Sequence, residues 1–243
     1  MNLFLTITLI LACGPSKPSP LVEEVVETSV ALREDGKAFG SGVIINHKNT
    51  TYVLTAAHCC AHLYTTEVKT YTDKDGNTVE FKRRVTKQLE VVSKRGKVES
   101  ARKATLVWYD KETDLALLTI DARGLRAAKV PEKAEELELG ELAWACGSGV
   151  GVEWNLVRTS IAKVEDDYIT TNGKGLFFGH SGSGLFVKRG KGYRLAGLVV
   201  QGHYPYATFV ESVPLAKILA FLKDYDAYQA QNVEAGPNPR EER

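Results

Sequence analysis

Three short segments carry side chains that could act together in covalent chemistry. In Leu54-Thr55-Ala56-Ala57-His58-Cys59 an apolar run gives way to small residues and a histidine. An imidazole at a strand end, titrating near neutrality, is suited to work as a general base. In Asp114-Leu115-Ala116-Leu117-Leu118 a carboxylate opens a wholly apolar run. A charge bordering a core needs a partner, and a protonated imidazole would supply one. In Gly179-His180-Ser181-Gly182-Ser183-Gly184-Leu185 a serine lies in a glycine-rich bend that leads into another apolar run. Glycines admit positive φ and let backbone N–H groups turn inward, which a developing oxyanion requires. Taken singly, the histidine reads as structural, the aspartate as a turn residue and the bend as a plain turn. Taken together they supply base, orienting carboxylate and nucleophile.

The chain order His58, Asp114, Ser181 is one of three in which such triads are built. An α/β-hydrolase would need serine before acid before histidine, and its GxSxG elbow fails because Ser183 stands at the last glycine position. The elements around these residues read as strands: Gly42 to Asn46, Tyr52 to Thr55, Glu67 to Tyr71, Val79 to Phe81, Gln88 to Val92, Thr105 to Tyr109 and Leu115 to Ile120. Asp75-Gly76-Asn77 supplies a hairpin turn. After a polar stretch, Arg123 to Gly140, a second set follows at Leu142 to Gly147, Leu156 to Val164, Tyr168 to Thr171, Gly184 to Lys188, Arg194 to Val200 and Ala207 to Glu211. Two groups of about six strands predict an all-β chain of two barrels or sandwiches. Only Pro214 to Tyr228 reads as a helix, with Leu215, Ile218, Leu219 and Leu222 on one face. Residues 229–243 read as a disordered tail.

Composition agrees with a globular chain. Of 243 residues 44% are apolar and 25% charged, with 8 prolines and 21 glycines, which excludes fibres and disorder. The 31 basic and 30 acidic side chains leave a formal charge of +1, so no global field points to nucleic acid. Locally, Lys82 to Lys103 holds nine basic and two acidic residues, either a pair of solvated strands or a contact for anionic lipid or an acidic partner. Glu132 to Glu141 reads as an exposed linker. Cysteines at 13, 59, 60 and 146 match neither a disulfide scaffold nor a zinc spacing, and no metal or cofactor is expected. At the N-terminus, Leu3 to Ala12 is too short to span a bilayer and reads as the apolar core of an export signal, residues 1–12. Gly14 to Pro20 reads as part of an extended tether, residues 13–20, with the folded part starting near Leu21.

These motifs carry a resemblance. Thr55-Ala56-Ala57-His58-Cys59, Asp114 to Leu118 and Gly179 to Leu185 resemble the histidine, aspartate and serine motifs of trypsin-like (chymotrypsin-fold) serine peptidases. Gly40-Ser41-Gly42-Val43-Ile44-Ile45 and Trp144-Ala145-Cys146-Gly147 are similar to the bacterial HtrA branch. The resemblance implies two six-stranded antiparallel β-barrels with a C-terminal α-helix, the first over 21–128 and the second, with the helix, over 129–228. It implies a serine endopeptidase acting on proteins or peptides, with Ser181 as nucleophile, His58 as general acid/base, Asp114 as orienting carboxylate, and an oxyanion hole from the N–H groups of Gly179 and Ser181. Gly175 would floor a neutral specificity pocket, and Val200, Gln201, Gly202 and His203 would bind substrate. Ile10-Leu11-Ala12-Cys13-Gly14 resembles a bacterial lipobox, which implies lipidation of Cys13 and a membrane-anchored envelope protein. His180 stands where trypsin keeps an aspartate for its new N-terminus, so activation by N-terminal insertion is not expected. Gly40 stands where the usual disulfide partner of Cys59 would be, leaving pairing among Cys59, Cys60 and Cys146 open. The 15 residues after the helix are too few for a PDZ domain. The competing reading is an inactive protease homologue serving as an envelope-tethered binding module.

Overall fold

The computed structural model describes residues 20–72, 78–86, 88–176, 178–202 and 208–234. Six antiparallel strands close the first barrel: β1 (Ser29–Glu34), β2 (Lys37–His47), β3 (Thr50–Ala56), β6 (Leu89–Arg95), β7 (Val98–Asp110) and β8 (Leu115–Thr119). Their order round the barrel is β1-β2-β3-β8-β7-β6. The second barrel closes as β10-β11-β14-β13-β12-β9 from β9 (Leu142–Gly147), β10 (Asn155–Val164), β11 (Ile169–Asn172), β12 (Gly184–Arg189), β13 (Gly192–Gly202) and β14 (Phe209–Pro214). The expected pair of six-stranded barrels is therefore the observed architecture.

One membership differs. The strands placed around Glu67 and Val79 form β4 (Tyr64–Thr72) and β5 (Thr78–Thr86), a separate two-stranded sheet between the histidine segment and β6. The sixth place in the barrel belongs instead to β1, which the sequence reading passed over. Its first four residues, Ser29 to Leu32, are all buried, so it lacks the alternation that marks a half-buried strand. The turn Asp75-Gly76-Asn77 lies outside the described residues.

Two helices also depart from expectation. A short α1 (Pro20–Glu27) precedes β1, with proline at its first position, where a missing N–H costs nothing. Its last carbonyls are satisfied by the hydroxyls of Thr28, which donates to Glu24 O at 3.0 Å, and Ser29, which donates to Val25 O at 2.7 Å. The C-terminal helix, numbered α3 after the short α2 (Ala57–Cys60), spans Leu215–Glu234 rather than ending at Tyr228. Residues 229–234, assigned to a tail by sequence, are thus helical; Gln229 Nε2 donates to Tyr225 Oη at 2.9 Å, one turn back. Pro214 ends β14 rather than opening the helix. The buried face of α3, Leu215, Ile218, Phe221, Leu222 and Tyr225, joins the first barrel's core and Phe186, Leu195 and Val213 of the second in one continuous cluster. The barrels are therefore fixed to each other by shared apolar burial.

The connection between barrels is pinned down rather than free. Ala128 N donates to Ile44 O at 2.7 Å, and Leu195 N donates to Lys129 O at 3.0 Å. Glu135 and Glu141, read as part of an exposed linker, pair with Arg189, and Glu135 also pairs with Arg194.

Candidate active site

The apolar run of β3 ends at Ala56, and α2 starts at once, placing His58 at the barrel rim. Asp114 arrives on a turn built by Asp110, whose carboxylate accepts from Glu112 N at 2.9 Å and from the Thr113 hydroxyl at 2.7 Å. That turn holds Asp114 at φ +54°, in the left-handed region that costs a non-glycine residue energy. The strain has an evident return, since Asp114 meets the histidine segment three times. Its Oδ2 lies 2.7 Å from His58 Nδ1, its Oδ1 accepts from His58 N at 2.8 Å, and its carbonyl accepts from Ala57 N at 3.0 Å. With Nδ1 facing the carboxylate, the second nitrogen, Nε2, is left to exchange protons with a substrate-side group. The Asp114 hydrogen bond, with a further contribution from Cys59, raises the His58 pKa from 6.5 to about 10.

Ser181 comes from the second barrel, in the bend before β12. Its carbonyl is received by the first barrel, accepting from Ser41 N at 2.9 Å and from the Cys59 thiol at 3.8 Å. The next residue is still closer: a β-carbon on Gly182, at φ +88°, would stand 2.1 Å from Ser41 O and 3.1 Å from Ala56 N. Only glycine lets the serine loop dock against β2 and the end of β3, the strand that leads to His58. The Ser181 hydroxyl donates to Val200 O at 3.3 Å. Val200 lies between Val199 and Gln201, where the pairing of β13 with β14 slips, and such bulges re-aim groups beside active sites.

Gly179 stands at φ +95°, where a β-carbon would lie 2.1 Å from Ser148 O. Among the described residues, neither its N–H nor that of Ser181 is spent on a backbone acceptor. His180 between them is buried, with Nε2 3.3 Å from Asn155 O. Gly175, at φ +94°, lies against Val157, and Leu176 beside it is buried with Val157 and Val199. Gln201 and Gly202 pair through β13 with Glu211 and Val210. His203 and Cys13 lie outside the described residues.

Cys59, Cys60 and Cys146 are buried and unbridged. Burial pushes the Cys60 thiol well up and the Cys146 thiol to about 12, so neither is a thiolate at neutral pH. Gly40 does face Cys59, as its place in the motif suggests. A β-carbon there would stand 3.0 Å from Cys59 Sγ and 3.6 Å from its Cβ, which suits a disulfide. Gly40→Cys should therefore bridge to Cys59 under oxidising conditions, closing a loop of about 20 residues worth about 3 kcal/mol. A thermal melt should rise by about 10 °C and fall back with reductant; an unchanged melt with free thiols at both positions 40 and 59 would contradict the geometry. Among the described residues no cluster of histidine, cysteine and carboxylate side chains could hold a metal, and no helix is long and apolar enough to cross a membrane.

Sequence reasoning named His58 and Asp114, which the structure pairs, and Ser181, whose loop docks on the first barrel, but missed the residue that receives that loop. Ser41, buried and bonded to three segments, appeared only as a letter in a motif.

Two closed six-stranded barrels, with a hydrogen-bonded histidine–aspartate pair on one and a serine in a glycine bend on the other, define the chymotrypsin-type serine peptidase fold. The model of the trypsin-like peptidase domain matches residues 40–193, and the chain belongs to that family. Solved structures of similar shape include the serine endoprotease from Yersinia pestis, at TM-score 0.63 and 20% identity over 86% of this chain and 67% of that one. Deg5 matches at TM-score 0.58 and 18% identity over 82% of this chain and 89% of its own. The MamO protease domain from Magnetospirillum magneticum matches at TM-score 0.57 and 14% identity, over 81% and 96%. These neighbours include HtrA/Deg serine proteases. No curated protein matches the chain.

Proposed function

We propose that the protein is a serine endopeptidase in which His58, Asp114 and Ser181 form the catalytic triad. The observation that carries this reading is the two-point grip of Asp114 on His58, which orients the imidazole and leaves Nε2 as base. Attack begins when the Ser181 hydroxyl leaves Val200 by rotation about its Cα–Cβ bond and gives its proton to His58 Nε2 as Oγ bonds to the substrate carbonyl carbon. The oxyanion formed is held by the N–H groups of Gly179 and Ser181. Collapse breaks the peptide C–N bond, and the departing amine takes the proton from His58. Water, deprotonated by the same imidazole, then hydrolyses the acyl-enzyme.

Gly175, Val157, Leu176 and Val200 support a pocket without a fixed charge, and the edge of β13 at Val200, Gln201 and Gly202 would pair with an extended substrate. Incubation with a mixed peptide library should produce new termini after small or apolar residues. Cleavage confined to sites after Lys or Arg would overturn the pocket assignment, and no cleavage at all would favour the binding-module reading.

The segment ending in Cys13 supports export and lipid anchoring to a bacterial envelope membrane. Cys13→Ser should abolish acylation and move the protein to the soluble fraction; equal membrane retention in the variant would refute the anchor.

A further inference from the structure

The oxyanion site proposed above depends on the orientation of consecutive peptide planes, and one residue of the first barrel controls the central one. Because a trans peptide is planar, fixing a carbonyl fixes the N–H on its opposite side. The carbonyl of Phe178, in the peptide that supplies the Gly179 N–H, accepts from Val150 N at 2.6 Å. The carbonyl of His180, in the peptide that supplies the Ser181 N–H, accepts from Ser183 N at 2.8 Å and from the Ser183 hydroxyl at 2.6 Å. The peptide between them, which sets how these two N–H groups stand to each other, is fixed by Ser41. The Ser41 hydroxyl donates to Gly179 O at 2.5 Å.

Ser41 is fully buried and has its remaining polar groups committed as well. Its Oγ accepts from Ser148 N at 2.8 Å, in the same loop as Val150. Its N–H donates to Ser181 O at 2.9 Å, and its carbonyl accepts from the Thr55 hydroxyl at 2.6 Å. A single residue on β2 thus ties together three segments: its side chain joins the serine bend to the 148–152 loop, and its backbone joins the serine bend to the strand leading to His58. The oxygen that Ser41 holds belongs to a glycine at φ +95°, a conformation that the bend must maintain without a β-carbon to restrict it.

On the serine-peptidase reading, we infer that Ser41 is the positioning residue of the oxyanion hole: its hydroxyl locks the Gly179–His180 peptide so that the N–H groups of Gly179 and Ser181 converge on one point. Ser41 touches no reacting atom. Its removal leaves Gly179 O and Ser148 N without their shared partner and lets the middle peptide turn. The loss falls on the transition state, where the oxyanion develops, and leaves ground-state binding in place.

The test is the inactivation of the full chain by a fluorophosphonate, whose phosphoryl oxygen occupies the oxyanion position once Ser181 has attacked. The maximal rate and the half-saturating concentration are measured separately for wild type, Ser41→Ala and Ser41→Cys, beside thermal melts. Ser41→Ala should lower the maximal rate about 10²-fold at unchanged half-saturation. Ser41→Cys, of similar shape but a weaker donor, should fall between. The midpoint of the pH–rate curve, set by His58, should not move in either variant. A folded Ser41→Ala protein with a rate within about threefold of wild type would overturn the inference, as would a loss confined to thermal stability or to half-saturation. If the alanine variant does not fold, Ser41→Cys decides alone, and a wild-type rate in it counts against the role. An unreactive wild type would remove the peptidase reading itself, a result distinct from reactive wild type with equally reactive variants.

Discussion

Ser181→Ala is expected to lower kcat on any cleaved peptide by a factor of about 10⁶ while leaving the fold intact. The chemical reason is that under the proposed mechanism Oγ forms the acyl bond, and water attacking in its place lacks the serine's fixed position in the bend. The structural reason is that the hydroxyl contributes little to folding. Its one hydrogen bond, to Val200 O, is long at 3.3 Å, so the alanine variant should lose about 1 kcal/mol or less in a denaturant titration. The carbonyl contact from Ser181 to Ser41 is backbone and survives the change. A variant that retains wild-type turnover would show that the serine is not the nucleophile.

Asp114→Asn should lower kcat by about 10⁴. The carboxylate accepts from both His58 N and His58 Nδ1, whereas an asparagine can offer one acceptor and one donor group in the same space. If its amide donates to Nδ1, the ring proton moves to Nε2 and the base is lost. The pH dependence should change too. With the His58 pKa raised from 6.5 to about 10, chiefly by Asp114, the rising limb of the acylation rate lies alkaline of an ordinary imidazole, and removing the carboxylate charge should shift it downward. Stability follows the same linkage. A folded pKa above the unfolded one means the pair stabilises fully below about pH 6.5, and the contribution fades as pH rises through the folded value. Denaturant midpoints measured from pH 6 to 10 should therefore fall more steeply in wild type than in Asp114→Asn.

The three candidate segments stood out because the proposed chemistry constrains short stretches: histidine after a strand, aspartate before one, serine among glycines. Most of the strands were legible for a similar local reason, as β-branched runs broken by turn residues. What escaped the sequence depends on partners far along the chain. Ser29 to Leu32 form β1 between β2 and β6 and are buried on both sides, so their run carries no period to detect. The pattern of β4 and β5 resembles that of barrel strands, and only the closure of the barrel by β1 leaves them outside it. The last turns of α3 carry few apolar residues, so the apolar stripe that announced the helix fades before the helix ends. Ser41 illustrates the limit most sharply. Its hydroxyl meets a carbonyl 138 residues away, and nothing in Gly40-Ser41-Gly42 indicates that its side chain faces the serine bend.

The most direct test of the central claim is intact-mass spectrometry of the protein after treatment with a fluorophosphonate, with tandem mapping of the modified peptide. The expected result is one adduct per chain, located on Ser181 and abolished by prior alkylation of His58. A folded protein that takes up no adduct, or takes it up at a residue other than Ser181, would contradict the proposed nucleophile and base.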